Sequence, residues 1–598
     1  MSDSTFLATT GLVAFWGPAD DRVFLSEWCL RCLSPEERLA AKGTVLPNPW
    51  AEPSRQEHAW EYLGHLYEVT LAQLAAYLNA VHGASEEVRY WRIIAGPWLL
   101  HYLHALYCRY LHIQVALARY PELDTVVLDP AQYRVPRDTG EFALSLFSDE
   151  YNFQLVSQIL SILAPRFPAV TLKQEPAARI RERPTLWKRL QWLSRAVARV
   201  GIAALEEGAR FRATVIAVDM HIPSKHLWRL CIRSRLRAAP GAVGPAWHTD
   251  PAPTPVFDDR RMGLSTLQDK SIFGRIAADL LPSTFPTLFL EGYKQARSEI
   301  ERRHAIRPSV VMSATGWYYN EPFKFFAAHQ ATRKARLVAV QHGAFYGTSR
   351  VNWAERHEST IADSYLVWGW ADRAPLRNMP SLKLSRLRRS SRMRRGTNIL
   401  FVCNRAIRPQ YTVTLNSIPI AGQWDAYVNW QLRFFAALPS HLVERISYRR
   451  YPETLPGITE EPVWRRIRQR FGDLNWDDDR KSFDDCLRGS FVVIVDHPGT
   501  TMLESLVANI PTILFWNECL WKLRPSAIPW FDRLRDAGVL LATPESAAQR
   551  LEDASTDMER WWNSSSVQDA RRRFISQHAF ATDNCDAIWA SEIREGRI

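Results

Sequence analysis

Two hydroxyls and a glycine stand where a buried strand would turn into a helix. The run Asp496-His497-Pro498-Gly499-Thr500-Thr501 follows the apolar stretch Phe491–Val495, and Glu504 comes one helical turn later. A helix that starts there offers free N–H groups and the positive end of its dipole, which together make an anion site. The threonine hydroxyls add donors to a phosphate. A carboxylate one turn on lies on the same face, where it can accept both hydroxyls of a ribose. Gly499 reads as the residue that lets the backbone turn tightly. Thr500 by itself would be only a cap; the whole pattern, through Asn509-Ile510-Pro511, favours a nucleoside mono- or diphosphate. His497, Gly499, Thr500, Thr501 and Glu504 are therefore the candidate nucleotide-binding residues. Arg450, of the Arg449-Arg450 pair that ends another apolar run, is a further candidate phosphate ligand.

Other groups could supply the chemistry. Gln341-His342-Gly343 follows the apolar run Arg336–Val340, and Glu355, His357, Glu358 and Asp363 lie beyond it. His342 suits acid–base work or a hydrogen bond to phosphate near neutral pH. Asp363 is a candidate catalytic carboxylate, whereas Glu358 reads as a surface charge. Asn320, Glu321 and Lys324 begin a helical stretch after the aromatic patch Trp317-Tyr318-Tyr319. Glu321 either favours the helix dipole or acts as a catalytic carboxylate; Lys324 could pair with an anionic sugar or a phosphate. Arg89 and Arg92 could clamp a carboxylate, and Asp149 is either a helix cap or a third candidate carboxylate. The catalytic candidates are thus Asp149, Glu321, His342 and Asp363. The substrate-binding candidates are Arg89, Arg92, Asn320, Lys324, Gln341 and Gly343. No Asp-x-Asp motif stands in a suitable loop, so no metal is expected.

The elements that must position these residues are legible as patterns. Residues from about Ser54 to Tyr120 carry a helical period, closed in part by Gly83, and Asp149–Pro165 carries another. Short Val/Ile/Leu-rich runs then alternate with helices: Thr214–Asp219, Ser309–Thr315, Arg336–Gly343 and Ser364–Trp370. The pattern restarts with Thr397–Cys403, Arg445–Pro452, Phe491–Asp496, Pro511–Trp516 and Gly538–Thr543. Such alternation predicts parallel sheets with helices on both faces, whose ligands bind at the carboxyl ends of the strands. The expected organisation is an N-terminal α/β domain with a helical insertion (1–380), a basic linker (381–396), a nucleotide-sugar-binding domain (397–555), and final helices (556–598) returning to the first domain.

Composition bounds the function. The 598 residues exceed one core, and 46% hydrophobic with 23% charged residues describe an ordinary globular chain. The net charge of +12 points to an anionic ligand or surface. Part of the excess sits in Ser385–Gly396, read as a solvated linker with weak attraction to anionic membrane headgroups. No nucleic-acid motif accompanies it. Cys29 and Cys32 form a lone C-x-x-C, without a second pair at zinc spacing. Neither a signal peptide nor an apolar run of about 18–20 residues is evident. A cytoplasmic protein is expected, with peripheral attachment at the inner membrane left open.

The His-Gly-Thr-Thr-Glu stretch resembles the nucleotide element of two-domain GT-B glycosyltransferases, whose signature runs His, Gly, Ser/Thr, Glu, then Gly-x-Pro. Here Glu504 stands one residue closer to His497, and Asn509 replaces the glycine. The segments LATTGLVAFWG, RYWRIIAGPWL, YNEPFKFFAAH, QHGAFYG, ERHESTIADSYLVWGW and HPGTTMLESLVANIPTILFW resemble a family of bacterial transferases. Its genes lie in O-antigen and surface-polysaccharide clusters, as first noted in leptospires. More distantly the chain is similar to the retaining β-Kdo transferases of glycosyltransferase family 99. The resemblance implies a GT-B-like α/β fold with two Rossmann-like domains facing a cleft. It also implies transfer of a sugar, Kdo or a related acidic one, from a nucleotide-activated donor, such as a CMP-linked one, to a glycan or lipid-linked acceptor. A nucleotide-sugar epimerase, a teichoic-acid-type glycerophosphotransferase and a non-catalytic glycan-binding protein remain as alternatives.

Overall fold

The computed structural model describes residues 5–598 apart from 19, 31–32, 34, 173–212, 242–252, 268, 304–305, 391–397, 405–422, 451–461, 473 and 477–480. Three parallel sheets and one two-stranded parallel pair organise the described residues. Strands β1 (Phe6–Ala8), β2 (Arg22–Phe24) and β3 (Thr44–Val45) form a small first sheet in sequence order. A parallel bridge from Phe6 to Asp124 sets beside it the pair β4 (Val127–Leu128) and β5 (Ala169–Val170). This small layer lies within the 1–380 region, ahead of its main sheet.

The second sheet has the order β11-β10-β9-β8-β6-β7. Its strands are β6 (Val215–Val218), β7 (Ala238–Pro240), β8 (Val310–Ser313), β9 (Arg336–Val340), β10 (Ser364–Val367) and β11 (Leu376–Asn378). The third has the order β14-β13-β12-β15-β16-β17. It is built from β12 (Asn398–Val402), β13 (Ile446–Arg449), β14 (Asn475–Trp476), β15 (Ser490–Val495), β16 (Thr512–Phe515) and β17 (Leu540–Leu541). That order is the Rossmann one, so the crevice opens where the order reverses, between β12 and β15. Every pairing in both large sheets is parallel, and the buried strands read as unbroken apolar runs because both faces are covered. Two Rossmann-like sheets within a helical frame give the α/β, GT-B-like class.

The long helical stretch is three helices, α1 (Pro53–His82), α2 (Val88–Ile94) and α3 (Gly96–Arg119). Gly83 ends α1 in the left-handed region at φ 62°, which glycine adopts without penalty. These helices share one core with the first sheet and one face of the second. Helix α4 (Ser385–Ser390) occupies the expected linker and is not simply solvated, since Leu384 and Leu387 are buried against the third sheet. Arg394 and Arg395 of the basic run lie outside the described residues. Helix α5 (Ser565–His578) packs on the third sheet and its end meets Gly369 after β10, and α6 (Cys585–Arg594) packs on the second sheet, where Trp589 Nε1 donates to Pro380 O at 2.8 Å.

Candidate active site

The carboxyl edges of the second and third sheets face each other. On the third, Asp496 follows β15, and the helix Thr500–Val507 begins at the expected anion site. A buried chain of bonds fixes this corner. Tyr448 donates to Gln431 (2.8 Å), Gln431 to Asp496 (2.6 Å), and His497 Nδ1 sits 2.9 Å from the other Asp496 oxygen. With Nδ1–H given to the carboxylate, Nε2 is left for the helix start. Gly499 has φ −87° and ψ 179°, an extended conformation open to any residue. Its glycine is needed for a different reason than a tight turn: a Cβ there would lie 2.4 Å from the His497 ring. Asn509, at the place of the signature glycine, takes φ 54°. Asparagine is one of the few residues that visit this region readily. Its side-chain oxygen also accepts from Trp562 (2.9 Å) and Gln568 (3.1 Å).

Thr500 Oγ1 accepts from Ala344 N at 3.2 Å, so the Gln341–Gly343 loop after β9 closes directly over the helix N-terminus. Thr501 Oγ1 is buried and has no hydrogen-bond partner among the described residues. Glu504 is buried, and Lys383 meets its carboxylate at 2.8 Å. Burial pushes the Glu504 carboxyl up, and the ammonium opposes it. Arg450 follows β13 half-buried, whereas Arg449 is buried and donates to Lys481 O.

On the second sheet, His342 is half-buried with its ring 6.0 Å from that of His221. Burial holds His342 down at about 4, with the neighbouring His221 and Lys383 acting in the same direction. The ring is therefore neutral at physiological pH. Tyr346 Oη lies 3.2 Å from His342 Nε2 and donates to Glu358 at 3.1 Å, while Tyr318 donates to the same oxygen at 2.9 Å. Glu358 is fully buried, which corrects its reading as a surface charge, and burial pushes its carboxyl up to about 8. The result is a line from the cleft inward: His342, Tyr346, Glu358. Gln341 is structural here. It accepts from Trp368 N and Trp370 Nε1, both at 2.8 Å, and donates to Gly343 O, fixing the loop that carries His342.

β6 ends in Asp219 and His221, both with positive φ (46° and 54°). Two non-glycine residues in the left-handed region within three positions mark stored strain, which clusters at functional sites. Asp219 is exposed at this edge, and Asn320 Nδ2 holds its Oδ2 at 2.7 Å. Asn320 thereby positions a carboxylate and also caps its own helix, accepting from Phe323 N.

The remaining candidates sit away from this edge. Asp363 stands at the amino end of β10, bonded to Arg89 (2.8 Å) and to Leu337 N (2.7 Å), on the side of the sheet opposite the cleft. Arg89 is spent on Asp363 and Ile361 O, and Arg92 on Glu68. Lys324 and Glu321 form a buried pair at 2.9 Å, completed by Thr139 and Ile94 O, so neither faces a ligand. Asp149 is buried with its carboxylate against Gly11, and the cap of its helix is Ser148, which accepts from Tyr151 N. Asp219, His221, Lys383, Tyr346 and Glu358 are the site residues that sequence reasoning missed. A signal existed for Glu358: Trp353, His357, Glu358 and Ile361 share one helix face, and all four are buried. Among the described residues no group of acids, histidines and cysteines could hold a metal ion, and no helix is long and apolar enough to cross a membrane.

The chain belongs to the LIC12162 family of transferases, whose pattern it matches over residues 5–593. It is an enzyme of the transferase class. No curated protein matches it. Among solved structures it is similar to a UDP co-structure of Staphylococcus aureus MnaA, with 12% identity over 64% of this chain and 96% of that one, at a TM-score of 0.35. It is also similar to the Neisseria meningitidis UDP-GlcNAc 2-epimerase bound to UDP-GlcNAc, with 9% identity, coverage of 64% and 99%, and a TM-score of 0.36. The Burkholderia multivorans α,α-trehalose 6-phosphate synthase gives 10% identity, coverage of 64% and 97%, and a TM-score of 0.37. Likenesses this weak say nothing of donor or acceptor.

Proposed function

We propose that this transferase is a glycosyltransferase that binds a nucleotide-activated sugar between its second and third sheets and passes the sugar to a bacterial surface glycan. The observation that carries this reading is the 3.2 Å contact of Ala344 N with Thr500 Oγ1. It sets the His342 loop against a helix N-terminus that suits a phosphate. The leaving phosphate would gain charge as the glycosidic bond breaks. Thr500, Thr501, the helix dipole and Lys383 would meet that charge with preorganised donors. Glu504 would take the ribose once Lys383 turns to the phosphate. Lys383 beside His221 and His342 also suits an acidic sugar such as Kdo, with a CMP-linked donor.

The carboxylate that handles charge at the anomeric carbon is Asp219 in this reading. It is exposed, strained and held by Asn320. It would serve as nucleophile in a retaining reaction and as base in an inverting one. Catalysis in this scheme rests on positioned protein donors and does not call for a metal. A lipid-linked acceptor at the cytoplasmic face of the inner membrane fits the net charge of +12.

A thermal-shift screen against CMP, CDP, UDP, GDP and dTDP tests the nucleotide site, because a ligand of the folded state stabilises it by RT ln(1 + [L]/Kd). One nucleotide should stand out, and none doing so would sink the reading. With the matching sugar donor, Asp219→Asn should abolish transfer while nucleotide affinity stays within about twofold, well under the ~1.4 kcal/mol of a tenfold change. Activity on free donor without an acceptor would point to an epimerase instead.

A further inference from the structure

A second polar cavity lies outside the cleft, in the seam between the two large sheets. It holds about 200 Å³ and is lined by His226, Arg229, Arg386 and Arg488, with Asp484 and Asp586 on its wall. The three arginines come from three different elements. Arg229 stands on the helix Ser224–Arg233 of the second sheet, Arg386 on α4, and Arg488 at the end of the helix Phe483–Arg488 of the third.

The charges there are unbalanced. Arg488 reaches Asp484 and Asp485 only at 4.0 Å, the far limit of an ion pair. Arg229 and Arg386 make no hydrogen bond or ion pair with any described residue, and the inner nitrogen of His226, Nε2, is buried without a partner. Burial depresses protonation of His226, the neighbouring Arg386, Arg229 and Lys225 act in the same direction, and Asp586 opposes them. Three guanidiniums against the two carboxylates of Asp484 and Asp586 leave a net positive charge that an anion in the groove would neutralise. A carboxylate has two coplanar oxygens and satisfies one guanidinium fork. Donors converging from three directions suit a group with more oxygens in a tetrahedral arrangement.

We propose that this groove is a phosphate-binding site, distinct from the nucleotide site. Arg229 and Arg386 clamp the phosphate, His226 Nε2–H donates to it, and Arg488 adds charge. Its position has a consequence for the cleft. Arg386 lies three residues from Lys383 on the same crossing segment, so a phosphate held there ties the two sheets together at the segment that presents Lys383 to Glu504. The phosphate could be free in solution or part of an anionic lipid headgroup; the chemistry at the arginines is the same.

The test uses the full chain and inorganic phosphate at constant ionic strength, with chloride as the control. Phosphate should raise the Tm of the wild type, and Arg229→Gln/Arg386→Gln should need at least tenfold more phosphate for the same shift. Arg386→Gln alone gives a milder version if the double variant folds poorly. Equal phosphate response in wild type and both variants overturns the proposal, because it places the bound phosphate elsewhere. Co-sedimentation with phosphatidylglycerol vesicles then separates the sources. Retention that the double variant loses assigns the site to a lipid phosphate. Retention unchanged, with the phosphate response lost, assigns it to a soluble one.

Discussion

At the scale of single residues, Glu358 makes the sharpest statement. A carboxyl with no exposure, bonded by Tyr318 and Tyr346, is held up at about 8 against an ordinary value of 4.5. Its raised value makes the folded state bind a proton that the unfolded chain has released. The contribution to stability is full below about pH 4.5 and is lost as pH rises through about 8. Glu358→Gln keeps the shape without the titration, so it should flatten that decline. Urea unfolding at about pH 5 and about pH 8.5 measures it, and an unchanged slope would show that Glu358 is not the group responsible. Glu504 gives a second test. Glu504→Ala should weaken binding of the nucleotide found in the screen by about 1–3 kcal/mol, roughly tenfold to a hundredfold. Calorimetric titration decides it, and equal affinity would leave Glu504 with only its Lys383 pair. The two acids also show what a sequence conceals. Glu504 was legible because its strand, glycine and threonines are contiguous. Glu358 was not, because its partners Tyr318 and Tyr346 belong to other loops and meet it only once the second sheet has formed. Lys383 hid for the same reason, because its partner Glu504 belongs to the other large sheet.

At the scale of elements, the corner after β15 is the most constrained. Gly499→Ala would put a methyl 2.4 Å from the His497 ring, which is locked to Asp496. The ring must then tip away or the helix start must shift, and either moves the donors of the anion site. We expect the variant to fold but to bind nucleotide at least tenfold more weakly, about 1.4 kcal/mol. Wild-type affinity would mean that the ring yields without cost. Asn509→Ala acts at the other end of the same helix. A left-handed residue without a local hydrogen bond costs about 1–2 kcal/mol, and it should appear as lost stability with nucleotide affinity intact. The two variants thus separate a glycine required by contact from an asparagine required by backbone. The strands of both large sheets were readable as apolar runs, since parallel strands covered on both faces leave no polar alternation. The first sheet is not readable as a sheet, because its strands are two or three residues long, too short to carry any period.

At the scale of the whole molecule, the cleft is bounded by contacts that hold the second and third sheets together from one side. Arg524 grips Glu355 through two bonds of 2.8 and 2.7 Å, and its N–H donates to Thr348 O at 2.8 Å. Arg350 N donates to Lys522 O at 2.9 Å, and Glu355 also holds Gly347 N at 2.8 Å. These bonds anchor the loop that carries His342 against the third sheet. The pair is mostly shielded, with side-chain exposures of 22% and 13%, so loss of one partner strands a charge that water only partly solvates. Arg524→Ala and Glu355→Ala should each destabilise the fold by about 1–3 kcal/mol. Because each removes the same interaction, the double variant should cost less than the sum, with a coupling of about 0.5–3 kcal/mol. Both single variants should also weaken nucleotide binding, although neither residue touches the anion site. A cleft that spends more time open lowers apparent affinity by the fraction of molecules left competent. Denaturant unfolding of the four-member cycle, with nucleotide titration of each member, tests both parts. Strict additivity would show that the Arg524–Glu355 contact contributes nothing to joining the two sheets. Coupled stability with unchanged nucleotide affinity would show that the bridge holds the sheets without governing the cleft.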